Sequence, residues 1–454
     1  MTKKQQDNTQ AEQPVASVQE TQQPQVAPEQ QSQPAQGASS LLVTIMVLLM
    51  RVVVGGVFVM SGFVKAIDPW GSYYKFNEYL LAMGWDSLIS LTLFGAFALA
   101  IFEFVLGVLL VTGSCRRGAP LLAIAMMIVL TPITLWLAVT NAVPDCGCFG
   151  DFLVLSNWAT FGKNVVLLAG LVYLLFLNRQ VPSLYGPAVQ WMVIFLSFAF
   201  AMLIAFFGYF TQPLIDFRPF KVGTHLVTNA TSTTDDDYVF VYEKDGVEQE
   251  FSIDSVPDDD SGWNFVTRKT VSKATAPAAK DGLTIAAWDN GDDVSDELLA
   301  SDNLLLLLLP DMDKVSVAYT FRINDLQEYA SQHGAVFAAL TSASEQDIEQ
   351  WVDISMAHYP LYNADDSEIK MIARGNPAVV YVSEGNIVWK RTLNSIDPDS
   401  LHNPELTLAT MSDDYDASDT LYTLVWVYIL SLVAVLIVNR THVVARLAFT
   451  KRGK

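Results

Sequence analysis

Asp145-Cys146-Gly147-Cys148-Phe149-Gly150-Asp151 is a short polar loop between two long apolar runs. The runs approach the roughly 20 residues that a helix needs to cross a bilayer, so the loop marks one surface of a membrane bundle. It holds two of the three cysteines in the chain, one residue apart. The thiolate is the reactive form of cysteine, and a working pair needs exposure and a disulfide-permissive compartment. Gly147 removes the Cβ that would oppose a tight turn. A disulfide across so small a ring departs from relaxed geometry and is the easier to reduce. Asp145 and Asp151 should raise a neighbouring thiol pKa, whereas the positive end of a helix starting at Ser156-Asn157 would favour a thiolate if the loop folds back. A static disulfide, two reduced buried thiols and a metal site are the alternatives. A metal site is weakened because no histidine lies within residues 1–224.

Outward from the loop, the apolar runs read as six membrane spans, at about 41–63, 89–112, 119–140, 157–177, 188–210 and 420–438. Residues 1–40 are rich in Gln, Pro, Ala and Ser and are expected to be a disordered cytoplasmic tail. Lys3, Lys4, Arg116, Arg117, Arg179 and the basic residues of 439–454 all fall on one side of such a bundle. The positive-inside rule makes that side the cytoplasm, with both termini there. The loop then shares the opposite face with the segment between the fifth and sixth spans. Residues 211–420 hold 38 Asp/Glu against 13 Lys/Arg, so the net charge of −21 belongs to this segment, which is no nucleic-acid binder. Cys115 falls at the cytoplasmic end and reads as a spare packing thiol.

Two charges stand inside the spans. Arg51 and Glu103 lie about ten and nine residues from the cytoplasmic ends of spans one and two, at nearly the same depth at about 1.5 Å per residue. Intramembrane charges tend to pair, so an Arg51–Glu103 ion pair is predicted. It is either a structural clamp or a polar site for a membrane quinone, a substrate or a proton. Lys163 and Asn164 in span four, and Lys65, Asp68 and Glu78 after span one, crowd the mouth that carries the cysteine loop. Snorkelling is the plainer account of the lysines.

The acidic segment has two parts. Residues 215–282 read as mixed short strands and loops, with strands near Tyr238–Tyr242 and Gln249–Ile253 around a turn at Glu243–Gly246. Residues 283–398 read as an α/β layer domain of order β-α-β-α-β-β. Leu304–Leu309 is its buried strand, helices lie near Val315–His333 and Ser344–Met356, and strands lie near Ala335–Leu340, Ala378–Val382 and Ile387–Arg391. This pattern looks like thioredoxin, whose redox cysteines follow the first central strand. Here that position reads Pro310-Asp311-Met312-Asp313-Lys314, without cysteine. Asn376-Pro377-Ala378 resembles the family's cis-proline loop, where extended peptides dock, so Pro377 marks a client groove. A plain strand-entry proline is the alternative.

Residues 45–177 resemble the DoxX/MauE group of bacterial four-helix membrane proteins. The likeness rests on Arg51-Val52-Val53-Val54-Gly55-Gly56-Val57-Phe58, on Ser61-Gly62-Phe63-Val64-Lys65-Ala66-Ile67-Asp68-Pro69, and on Asp145–Asp151 followed by Asn157-Trp158 and Lys163-Asn164. The whole chain is similar to a fused form with a fifth span, an extracytoplasmic domain and a terminal span, joined at Asp216-Phe217-Arg218-Pro219-Phe220-Lys221-Val222-Gly223. The resemblance implies redox assistance in the bacterial inner membrane. MauE-type proteins are thought to support maturation of a disulfide-rich periplasmic enzyme subunit, and DoxX-type relatives are linked to quinone-coupled or redox-stress functions. Three readings stay open: a thiol–disulfide protein passing electrons between a periplasmic client and a membrane carrier, a non-enzymatic maturation scaffold with a structural disulfide, and a small-molecule or quinone-interacting subunit.

Overall fold

The computed structural model describes residues 36–226, 238–244, 247–252, 264–270, 283–288, 290–403, 406–413 and 415–452. Of the expected tail, residues 1–35 lie outside this set, and residues 36–40 already begin the first helix. Six described helices are long and apolar enough to cross a membrane. The chain opens with α1 (Gln36–Ile67) and α2 (Pro69–Met83), then α3 (Thr92–Thr112), α4 (Gly118–Thr140), α5 (Asn157–Leu177) and α6 (Gln190–Phe210).

The helix α2 was not expected. Asp68 caps it by accepting the Gly71 amide at 2.9 Å, Pro69 takes the first turn, and Gly84 ends it with φ +70°. The close crossing of α1 and α3 decides which charges meet. A Cβ on Gly62 would stand 2.3 Å from the Phe104 amide nitrogen, and one on Gly107 would stand 2.4 Å from that of Val59. Backbone contact of this kind is what small residues provide between apolar helices.

That crossing overturns the predicted Arg51–Glu103 pair. It sets Arg51 beside Gly113, at the far end of α3, about ten residues away from Glu103. Arg51 instead donates to the Asn178 Oδ1 at 2.6 Å, to the Asn178 and Val181 carbonyls at 2.9 Å and to the Pro182 carbonyl at 3.0 Å. It is a buried clamp that satisfies the carbonyls beyond the end of α5. Glu103 pairs with Lys65 at 2.8 Å.

Beyond α6 the joint is bolted down by charge. Asp216 binds Arg218 at 2.8 Å and Lys390 at 2.5 Å. Burial, reinforced by Arg218, pushes the Lys390 ammonium down to about 8 in spite of Asp216. Three strands, β1 (Tyr238–Lys244), β2 (Val247–Ser252) and β3 (Asn264–Thr270), form an antiparallel sheet in the order β2-β1-β3. The expected turn falls partly on residues 245–246, outside the described set.

The α/β domain follows as β4 (Ile285–Ala287), α7 (Ser295–Leu299), β5 (Asn303–Leu309), α8 (Thr320–Gln332), β6 (Val336–Thr341), α9 (Glu345–Ser355), β7 (Leu361–Ala364), α10 (Asp366–Ile372), β8 (Ala378–Ser383) and β9 (Asn386–Thr392). Its sheet order is β4-β7-β6-β5-β8-β9, with β5, β6 and β7 parallel and β8 and β9 antiparallel to their neighbours. The leucine run of β5 is buried on both faces, which explains why it is apolar without alternation. Leu305, Leu307 and Leu309 join Ile323, Leu326 and Trp351 in one core, while Leu304, Leu306 and Leu308 join Ile369 and Ile372 in another. The expected helix at 315–333 starts later, at Thr320, after two short 3-10 turns. Past the sheet, α11 (Ala417–Arg452) packs on α6, with Tyr428 stacked on Phe200 at 4.3 Å and bonded to Ser197 at 2.8 Å.

Candidate functional site

The 141–156 loop is tied at its base before it reaches the cysteines. Asn141 ends α4 in the left-handed conformation, with φ +50°. Asn157, on the first turn of α5, donates to the Asn141 Oδ1 and to the Val143 carbonyl, both at 2.9 Å. Asp145 then makes a side-chain turn, accepting the Gly147 amide at 2.8 Å. Gly147 has φ +59°, a conformation that glycine adopts without strain.

Three side chains of α1 and α3 hold the loop down. Lys65 donates to the Cys148 carbonyl at 2.7 Å, to Glu103 Oε2 at 2.8 Å and to Ser61 Oγ at 2.6 Å, which uses all three ammonium protons. The Ser61 hydroxyl lies 2.7 Å from Glu103 and 2.8 Å from the Cys148 carbonyl. Lys65, Glu103 and Ser61 are buried. A paired, fully bonded cluster is the form in which intramembrane charge is tolerated. From α2, the Tyr79 hydroxyl donates to the Cys146 carbonyl and Lys75 pairs with Asp145 at 3.3 Å.

Both cysteines are free thiols, with sulfurs 3.0 Å apart. The hydrogen bond from Cys146, with the Lys163 and Lys65 charges, brings the Cys148 thiol down to about 6 against the effect of burial. The same shared proton, with burial, pushes Cys146 up. Of the two sulfurs, Cys148 is thus the one whose thiolate is favoured and Cys146 the one that keeps its proton. The expected opposition from Asp145 and Asp151 does not decide the outcome at Cys148, because both carboxylates are engaged by cations, Lys75 at 3.3 Å and Arg374 at 2.8 Å. Alkylation by iodoacetamide should show its half-maximal rate near pH 6 at Cys148, well below the usual thiol range, and Lys163→Gln should move that midpoint upward.

Two cavities flank the loop. One, of about 360 Å³, lies among α1 to α5 and is bordered by both cysteines, Gly147, Lys65, Lys163 and Glu103, with otherwise largely apolar walls. The other, of about 380 Å³, lies between the bundle and the α/β domain and has charged side chains in its wall, Lys75, Asp216, Arg218 and Arg374 among them. Asp145, Gly147 and Asp151 border it, but among the described residues neither cysteine does.

The α/β domain meets this end of the bundle through Arg374. Its guanidinium bridges Asp68 and Asp151, each at 2.8 Å. The Asn376–Pro377 peptide that follows is cis, and Asn376 donates to the Asp311 carbonyl at 2.7 Å. The Pro377 loop and the cysteine-free Pro310–Lys314 stretch are therefore adjacent.

Of the residues singled out by sequence, Lys65, Glu103, Cys146, Gly147, Cys148 and Lys163 come together around the first cavity, and Asp145 borders the second. Asn164 also borders the first, bonding Thr134 at 3.1 Å. Asp68 and Asp151 belong to the Arg374 bridge, Asn157 to the base of the loop, and Arg51 to the clamp at the other end. Lys75, Tyr79 and Arg374 were missed. Ser61 sat in a quoted motif, four residues before Lys65, and that helical spacing was the available signal. Cys115 contacts Gln190 at 3.6 Å, far along the chain from the loop.

None of the curated proteins matches this chain. Residues 237–273 match a family model described as a domain of unknown function (DUF8463). A solved structure of the Xanthomonas campestris bacterioferritin comigratory protein, from work on its alkyl peroxide reduction activity, is 14% identical, covering 32% of this chain and 90% of that one with a TM-score of 0.19. Residues 43–177, which supply both cysteines and the whole lining of the apolar cavity, match the family model described as methylamine utilisation protein MauE, so this membrane stretch is similar to that family.

Proposed function

We propose that this is a thiol–disulfide protein of the bacterial inner membrane, with Cys146 and Cys148 as the redox pair. The observation that carries the reading is the pair itself: two free sulfurs 3.0 Å apart, beside two lysines, at the end of a membrane bundle. In the working cycle, a disulfide between them passes to two thiols of a client protein. The client gains the disulfide and the pair returns to the reduced form. The positive charges flanking the spans support an orientation with both termini in the cytoplasm and the loop and the α/β domain in the periplasm.

The α/β domain is read as thioredoxin-like without the cysteines. The order β6-β5-β8-β9, with only β5 and β6 parallel, supports this, as does Pro377 directly before β8. Its role is to hold the client beside the loop. A second reading, a maturation scaffold with a structural disulfide, is favoured by the absence of cysteine from Pro310–Lys314.

Thiol trapping in intact membranes separates the two. Alkylation after acid quenching should find both oxidised and reduced forms of the pair. Cys146→Ser or Cys148→Ser should accumulate a mixed disulfide with a client. A pair that stays oxidised under every redox condition, with both serine variants behaving as wild type, would leave only the scaffold.

A further inference from the structure

We propose that the Lys75 side chain is the gate between the α/β-domain side of the thiol loop and the two sulfurs, and so sets which molecules from that side exchange with them. This rests on the thiol–disulfide reading and adds the route by which a client held at the α/β domain arrives. Cys146 and Cys148 border the cavity inside the bundle, and neither borders the cavity beneath the α/β domain. That second cavity nevertheless reaches the Pro377 loop. Asp311 stands in its wall, and the Asp311 carbonyl accepts from Asn376, the residue before the cis proline. A client in the second cavity is therefore one wall away from the thiols.

The wall is short. Lys65, Ser72, Lys75 and Gly147 border both cavities. Lys65 is buried and pinned, with bonds to Ser61, Glu103 and the Cys148 carbonyl, all within 2.8 Å. Ser72 is small, and Gly147 has no side chain at all. Lys75 is long and covers the glycine. A Cβ on Gly147 would stand 2.9 Å from the Lys75 Cγ and 3.5 Å from its Cδ, so the lysine stem lies across that face of the loop.

The hold on Lys75 is of a kind that lets go. Its ammonium pairs with Glu78 at 2.9 Å and with Asp145 at 3.3 Å, and these partners are 48% and 25% exposed. Ion pairs with that much access to water are weak. Lys75 is itself 22% exposed, so its flexible stem has solvent to turn into. Once it turns, the wall there is reduced to the Gly147 backbone and the Ser72 side chain, and the two cavities join beside the sulfurs. The latch is tied to the loop it guards, because Asp145 also accepts the Gly147 amide at 2.8 Å. The cations that favour the Cys148 thiolate are Lys163 and Lys65, so a change at Lys75 alters access to that sulfur more than its acidity.

The test uses the full-length protein in lipid nanodiscs, reduced and kept anaerobic. Two water-soluble thiol reagents of opposite charge are applied, the trimethylammonium-ethyl and sulfonato-ethyl methanethiosulfonates. Labelling of Cys146 and Cys148 is read by peptide mass spectrometry, with Cys115 at the other end of the bundle as internal reference. Lys75→Ala should speed labelling by both reagents by about tenfold, the change in open fraction that two partly exposed ion pairs can hold back. Lys75→Met keeps the stem without the charge and should fall between. Lys75→Arg keeps both and should behave as wild type. Loss of a charge alone would speed the cationic reagent and slow the anionic one, so opposite responses overturn the gate. Unchanged labelling in Lys75→Ala overturns it too, as does a rise that Cys115 shares, which is loosening of the whole bundle. Oxidised glutathione, applied to the same reduced samples, separates the gate from the reading beneath it. Faster oxidation of the pair in Lys75→Ala than in wild type supports both, and equal rates overturn the gate alone. A pair that stays reduced in both proteins overturns the thiol reading and this inference with it.

Discussion

Lys65→Met should destabilise the membrane domain by about 3–5 kcal/mol, because it leaves the Glu103 carboxylate buried without a counter-charge. Glu103→Gln should cost a similar amount by stranding the ammonium. The geometry makes the effect specific. Lys65 donates to Glu103, to Ser61 and to the Cys148 carbonyl, all within 2.8 Å, and both charged side chains are at most 7% exposed. Replacing both with apolar residues of similar volume, as in Lys65→Met with Glu103→Leu, removes the stranded charge and should recover most of the loss. Thermal unfolding in detergent reads all three. If the double variant melts no higher than the singles, the two charges are not coupled and the cluster is not what holds this end together. Lys65→Met should also free the loop, since the Cys148 carbonyl then loses a donor. Lys65→Met should raise the pH at which Cys148 alkylates, because one of the two cations that favour its thiolate is gone.

The spans and the cysteine loop were legible because each leaves a local mark, a long apolar run or two cysteines in a polar break. The mispaired arginine shows what counting along a helix cannot supply. Depth was judged from the ends of the apolar runs, but the level at which two helices meet is set by where their backbones touch, here at Gly62 and Gly107. The helix α2 was overlooked because Trp70, Tyr73, Tyr74, Phe76 and Tyr79 are mixed with polar residues and give no clean apolar face, although its capping Asp68 and first-turn Pro69 were in plain view. In the α/β domain the leucine run and its neighbours were found. The strands β4 and β7, of three and four residues, are too short to show an alternation. Arg374 was beyond reach altogether, since its partner Asp68 lies 306 residues earlier in the chain. Nothing near Arg374 announces that pairing.

That arginine carries the other large expected effect. Arg374→Met should loosen the α/β domain from the thiol loop by about 3 kcal/mol, the lower end of what breaking a buried pair costs. The guanidinium is 6% exposed and is met by Asp68, Asp151 and, at 2.7 Å, the Lys370 carbonyl. Its two acids differ. Asp68 is 15% exposed and also caps α2, whereas Asp151 is 46% exposed and can turn to water. Asp68→Asn should therefore cost more than Asp151→Asn. Arg374→Lys should rescue little, because an ammonium cannot serve two carboxylates with a planar fork. Amide hydrogen exchange in residues 145–151 and at the start of α2 is the readout, with an acceleration of about a hundredfold expected in Arg374→Met. The α/β core at Leu304–Leu309 should keep its protection, since its two hydrophobic clusters do not include this contact. If loop exchange is unchanged while the guanidinium is gone, the domain does not restrain the loop. The cis-proline groove would then have no mechanical connection to the thiols it is proposed to serve.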